Sequence, residues 1–174
     1  MPKVGELKKL SRSNSNFKRE RLAFFQTRKT IVEGILRAEK DSRSFSKKLV
    51  PFFKKDDDFE TCRFVWLFLC RYFTYKAEDR SDQTVRKISR MIAEAKTMPV
   101  DCKHYATASI GILNACGIPA WLCVVWQGLD KRKFHAYASA LVNNKVIVID
   151  PCRKSKFNDE CSYKRKWNIS PIKN

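Results

Sequence analysis

Along the first two thirds of this chain, apolar residues recur at spacings of three and four; along the last third they recur at spacings of two. Ile31, Ile35 and Leu36 continue a period begun at Phe17, Leu22 and Phe25, which predicts a first helix. The run "FVWLFLC" (64–70) lies in a second predicted helix over 59–75. It is apolar enough to be buried but far short of the roughly 20 residues that a membrane span requires. Val85, Ile88, Met91, Ile92 and Ala95 share one face of a third helix, which stops before Pro99, because a residue preceding proline avoids the helical region. A fourth helix begins at Cys102, continues through Ala106, Ser109, Ile110 and Leu113, and ends at "CGIP" (116–119) with Gly117 as its cap. The period then changes. "AWLCVVW" (120–126), "FHAYASALV" (134–142) and "KVIVID" (145–150) read as strands. "NN" joins the last two, and asparagine tolerates the left-handed backbone of a tight hairpin. Helices followed by an antiparallel meander define an α+β fold.

This pattern divides the chain into a basic flexible arm over 1–16, a helix and loop over 17–58 with the loop at 41–58, a core over 59–151 and a basic tail over 152–174 that wraps the surface. Charge sharpens the division. The net charge is +18, of which residues 1–48 carry +9 and residues 151–174 carry +5. Such flanks suit a polyanion: nucleic acid, an acidic shell or a cell-wall polymer. They would equally serve as solubilising surface. Aromatics among the charges, in "FKRERLAFF" and "YKRKW", could stack on single strands or anchor the core.

Seven cysteines are present, at 62, 70, 102, 116, 123, 152 and 161, with two histidines, His104 and His135. No closely spaced ligand pairs occur, so no metal or cofactor is expected. Most of the thiols lie in apolar runs and read as core residues of a reduced protein. The N-terminal "MPKVGELKKL" has no apolar leader, and a cytoplasmic location is expected.

Cys102 stands apart. Asp101 is placed to cap the fourth helix, which puts Cys102 in the first turn, where free N–H groups and the helix dipole favour an anion. Thiols in such places ionise more readily, and the thiolate is the nucleophile. A nucleophile of this kind needs a base, and the base an orienting group. Strand arithmetic supplies both. With "NN" as a two-residue turn, Val142 pairs with Lys145 and Asp150 falls opposite Tyr137. His135 and Asp150 then share a face on neighbouring strands, on a diagonal of roughly 7–8 Å. A one-residue slip would separate them. His104, two residues after Cys102, points to another side of the helix and reads as a surface or supporting residue. Cys152 falls opposite His135 in this register, near enough to the site to raise a disulfide with Cys102 as an alternative role.

The stretch 65–152 resembles the transglutaminase-like cysteine enzymes, a branch of the papain-like fold. "DCKHYA" (101–106) is similar to their aspartate-cysteine block, "GIPA" (117–120) to the turn after the nucleophile helix, and "FHAY" (134–137) with "VIVIDP" (146–151) to their histidine and aspartate strands. Tyr137 stands where that family often has tryptophan. The resemblance implies Cys102 as nucleophile, His135 as general base and acid, and Asp150 as the residue that fixes the imidazole. It implies acyl transfer from an amide through a thioester, to water in a peptidase or amidase or to a lysine amine in a crosslinking transglutaminase. Hydrolysis of a protein or peptide is the expected outcome. Short members of this kind resemble proteins of bacteriophages and mobile elements, which would give the basic flanks a packaged genome or a shell to bind. The competing expectation is a non-enzymatic virion or nucleic-acid-associated protein that uses the fold as a scaffold.

Overall fold

A computed structural model describes residues 2–12, 19–21, 27–78, 83–128 and 134–170. Its elements run α1 (Val4–Arg12), β1 (Arg19–Arg21), α2 (Arg28–Phe53), α3 (Asp58–Tyr72), β2 (Thr84–Arg86), α4 (Ile88–Glu94), α5 (Cys102–Ala115), β3 (Ala120–Trp126), β4 (Phe134–Val142), β5 (Lys145–Ile149) and β6 (Arg165–Ile169).

Helix α5 is the centre. Every residue from Lys103 to Leu113 is buried, as expected of a helix covered on all sides. One flank packs on α2 and another on β4 and β3. Gly111 lets the helices close up: a Cβ there would lie 2.7 Å from Ile88 Cδ1 and 3.0 Å from Ser46 Oγ. The helix ends at Gly117 (φ +82°), with Ile118 N–H bonded to the Leu113 carbonyl at 3.0 Å and Gly117 N–H to that of Asn114 at 3.1 Å, the Schellman closure.

Helix α2 is longer than its sequence pattern suggests. Thr27 caps it in a reciprocal pair with Thr30, and Ile35, Ala38, Ser42, Phe45, Leu49 and Phe53 form one buried face. The helix thus runs through most of the stretch expected as a loop, 41–58. Its serines disguise it, because they are structural. Ser42 donates to the Ala38 carbonyl (2.6 Å) and accepts from Ile88 N–H (3.1 Å), which satisfies the first amide of α4 from the flank of α2.

The sheet has the order β5-β4-β3-β6. Val142 pairs with Lys145 and Ala138 with Ile149, the expected register. Asn143 and Asn144 make the turn with φ of 49° and 59°, a type I′ geometry that matches strand twist. Leu122, Val124, Ala136, Ala138, Ala140, Ile147 and Ile149 join the main core, while Cys123, Val125, Tyr137, Val148 and Cys161 form a second, smaller one.

Three other expectations need correcting. Residues 4–12 of the supposed arm form α1, whose Leu7 is wholly buried on α4; a helix with one strong anchor reads as low complexity when its other faces are basic. Val85 belongs to strand β2, antiparallel to β1, and α4 starts only at Ile88. The basic tail adds β6 to the sheet beside β3, with Leu122 opposite Ile169. Phe17, Leu22 and Phe25 lie outside the described residues. Among the described residues, no helix is long and apolar enough to cross a membrane.

Candidate active site

Asp101 ends an extended segment that is pinned in place: Val100 N–H bonds the Thr74 carbonyl and Lys76 N–H the Val100 carbonyl, both at 2.9 Å. The Asp101 carboxylate then accepts from the amides of Lys103 (3.1 Å) and His104 (3.4 Å). These are the second and third amides of α5, so the carboxylate leaves the Cys102 N–H, the first, facing outward from the helix end. The Cys102 side chain is partly exposed.

His135 is the second residue of β4 and Asp150 follows β5. Imidazole Nε2 lies 2.7 Å from Asp150 Oδ2, so the diagonal read from the register is bridged. Asp150 is itself fixed at two points. Its Oδ1 accepts the Cys152 N–H (3.1 Å), and its backbone carbonyl accepts the Trp66 indole N–H (3.1 Å) from α3. Cys102 lies near enough to the same ring to raise its basicity; with Nε2 given to Asp150, Nδ1 is the nitrogen left for the sulfur. Burial of the ring opposes its charge, but the bonds and charges of Asp150 and Cys102 outweigh that and push the imidazole up to about 10. Tyr75 stands beside the same groups. Its ring stacks on Tyr105 with centroids 6.2 Å apart. Burial, then the neighbouring Cys102, Cys152, Asp101 and Asp150, hold its phenol protonated above the ordinary range.

The raised imidazole has a consequence for stability. His135 keeps its proton to about 10 when folded, against an ordinary 6.5. Its contribution is therefore complete below about pH 6.5 and is lost as pH rises through the folded value. The melting temperature of the native protein should fall toward that of His135→Gln between pH 7 and 10. A constant gap across that range would contradict the raised value.

Beneath Cys102 lies a charged network that the sequence does not announce. Lys103 Nζ bonds Asp101 Oδ2, Gln83 Oε1 (2.8 Å) and Glu78 (3.5 Å). His104 is fully buried, which excludes the surface reading. Its Nδ1 is 2.7 Å from Asp101 Oδ1, and its Nε2 accepts from Arg86 Nε at 3.2 Å. Burial lowers its basicity more than Asp101 restores it, so the ring is neutral and its partners assign the proton to Nδ1. Arg86, also buried, reaches Glu94 (3.3 Å) and the Pro99 carbonyl. Burial of Asp101 opposes its charge, but His104 and Lys103 prevail and hold its carboxyl well below the usual range. Nothing in the sequence singles out Arg86 and Lys103 as buried. Trp66 was read only as core, and its indole N–H is what the sequence conceals.

Of the predicted residues, Cys102, His135 and Asp150 are brought together. Cys152 joins them: ligand atoms of His135, Asp150 and Cys152 lie within 4.8 Å of one another, the one such group of three among the described residues.

A sequence model described as the Transglutaminase-like superfamily matches residues 47–151, a stretch that contains Cys102, His135 and Asp150. The chain belongs to the transglutaminase-like superfamily. The fold has solved likenesses. A candidate protease from Parabacteroides distasonis is 15% identical with a TM-score of 0.56, over 78% of this chain and 36% of that one. A candidate cysteine protease from Cytophaga hutchinsonii is 16% identical with a TM-score of 0.48, over 70% and 42%. A structure described as a TGase is 12% identical with a TM-score of 0.42, over 92% and 41%. This transglutaminase-like chain thus spans well under half the length of each. No functionally curated protein matches it.

Proposed function

We propose that the chain is a cysteine acyl-transfer enzyme that cleaves an amide in a peptide or protein. The observation that carries this reading is the hydrogen bond of His135 to Asp150, on a ring whose basicity Cys102, at the start of α5, also raises. In the proposed reaction, the Cys102 sulfur, its proton held by His135, attacks the amide carbonyl and forms a C–S bond. The carbonyl oxygen takes the negative charge and accepts a hydrogen bond from the Cys102 N–H. His135 then returns the proton to the departing amine as the C–N bond breaks, leaving a thioester on Cys102. Asp150 keeps the ring oriented throughout. Water, deprotonated by His135, attacks the thioester and frees the acid. Hydrolysis is favoured over crosslinking because His135 is reachable from solvent, its side chain 16% exposed, and a site that prefers amines must exclude water.

The test is a panel of peptide anilides and glutaminyl peptides, assayed with and without hydroxylamine. Wild-type protein should release the amine, and hydroxylamine should divert the acyl group into a hydroxamate. Release that proceeds equally in Cys102→Ala, or no turnover of any member of the panel, would overturn the reading.

A further inference from the structure

Asp150 is followed by a proline and then Cys152, and this short turn brings a thiol to the side of the His135–Asp150 pair. Each of the three residues offers a different donor: an imidazole nitrogen, a carboxylate oxygen and a sulfur, mutually within 4.8 Å. We propose that His135, Asp150 and Cys152 form a binding site for a divalent cation of the zinc class, and that filling it shuts the acyl-transfer centre.

The donor set argues for that class. Thiolate and imidazole select zinc and its neighbours over magnesium or calcium, which take oxygen ligands. Three protein ligands with a fourth position open is a common zinc arrangement. The geometry requires little movement. An ion with bonds of roughly 2.0–2.3 Å at tetrahedral angles wants its ligand atoms roughly 3.3–3.7 Å apart. His135 Nε2 and Asp150 Oδ2, now 2.7 Å apart, would open slightly, and the sulfur would close in. The supporting contacts are already made. The Cys152 N–H holds Asp150 Oδ1, and Trp66 holds the Asp150 carbonyl, so Oδ2 is presented and the turn is fixed. The ion would bind neutral imidazole, carboxylate and thiolate, expelling the thiol proton to solvent and any proton on the ring. Catalysis needs that imidazole to carry the proton between sulfur and leaving amine, so an ion on it stops the reaction. This second half of the proposal rests on the acyl-transfer reading; the binding itself does not.

The two halves are tested separately. Binding is measured on full-length Cys102→Ala, which removes the competing thiol, by titrating Co2+ and Zn2+ with no substrate present. One ion per chain should bind, and Co2+ should produce a thiolate-to-metal absorption band. Adding Cys152→Ser should abolish the band and weaken Zn2+ binding by at least about tenfold; His135→Gln serves as an independent second variant, with melting curves to show that each is folded. A band that survives loss of Cys152, or no band at all, overturns the site. For inhibition, zinc should suppress amide release by the native protein and a chelator should restore it. Cys152→Ser should need about tenfold more zinc for the same suppression. Equal zinc sensitivity in Cys152→Ser overturns the inhibitory role even if binding stands.

Discussion

Cys102→Ala should lower amide cleavage by about 10⁴-fold or more, the loss expected when the nucleophile of an interdependent set is removed. The substitution is structurally mild. Cys102 is partly exposed and sits ahead of the buried stretch of α5, so the melting curve should be nearly unchanged. The rest of the set should follow in order. Removing His135 should cost almost as much as removing the sulfur, because without it no group carries the proton. Asp150→Asn keeps the shape but loses the carboxylate that fixes Nε2, and should cost about 10²–10⁴-fold. Combining variants should add little, since each already disables the same step. Residual activity above a tenth in Cys102→Ala would place the chemistry elsewhere in the molecule.

Asp101→Ala should destabilise the fold by about 3–5 kcal/mol, the usual cost of breaking a buried ion pair from one side. Three losses coincide. The amides of Lys103 and His104 lose their cap, the Lys103 ammonium loses its nearest counter-charge, and the His104 Nδ1–H loses its acceptor. Against the about 5–15 kcal/mol that holds a typical domain together, this is a large share. Asp101→Asn retains a capping oxygen but not the charge and should fall between. The pH dependence has a definite sign. The folded carboxyl is held below its ordinary 3.8, so its contribution is present above that value and disappears as pH falls through the folded one. The gap in urea midpoint between native protein and Asp101→Ala should therefore stay constant from pH 7 to about 4 and narrow only below. A gap worth under about 1 kcal/mol at pH 7 would mean that the network is not coupled to folding.

Much of this architecture is legible because it rests on local rules. Asp101 before an apolar helix and Asn143–Asn144 between two alternating strands fix the cap and the register, and the register alone brings His135 beside Asp150. Contacts between distant elements are less visible. Ser42 and Ser46 look like loop residues until the amide of Ile88 is seen to need Ser42. Leu7 is a single anchor in a basic stretch. Lys103 and Arg86 are charges that ordinarily face water, and only the convergence of Asp101, His104, Glu78 and Glu94 makes their burial tolerable. No spacing rule links positions 86, 94 and 104 in advance. The edge strand β6 is equally hidden, because the basic run Lys164, Arg165 and Lys166 at its start matches an exposed edge as well as it matches a tail.

The central claim is that Cys102 is the activated thiol of this chain, and selective alkylation tests it most directly. Iodoacetamide reacts with thiolate. Burial pushes Cys62 up to about 12 and Cys70 up to about 11, and also raises Cys116, Cys123 and Cys152; Cys161 is buried. Cys102 is the one thiol that combines a helix N-terminus with the protonated imidazole. Limited reagent near pH 6, followed by peptide mass spectrometry, should place the first label on Cys102, and His135→Ala should slow that labelling strongly while Asp150→Ala slows it less. Labelling of Cys62 or Cys161 as fast as Cys102, or a rate on Cys102 that His135→Ala leaves unchanged, would contradict the account.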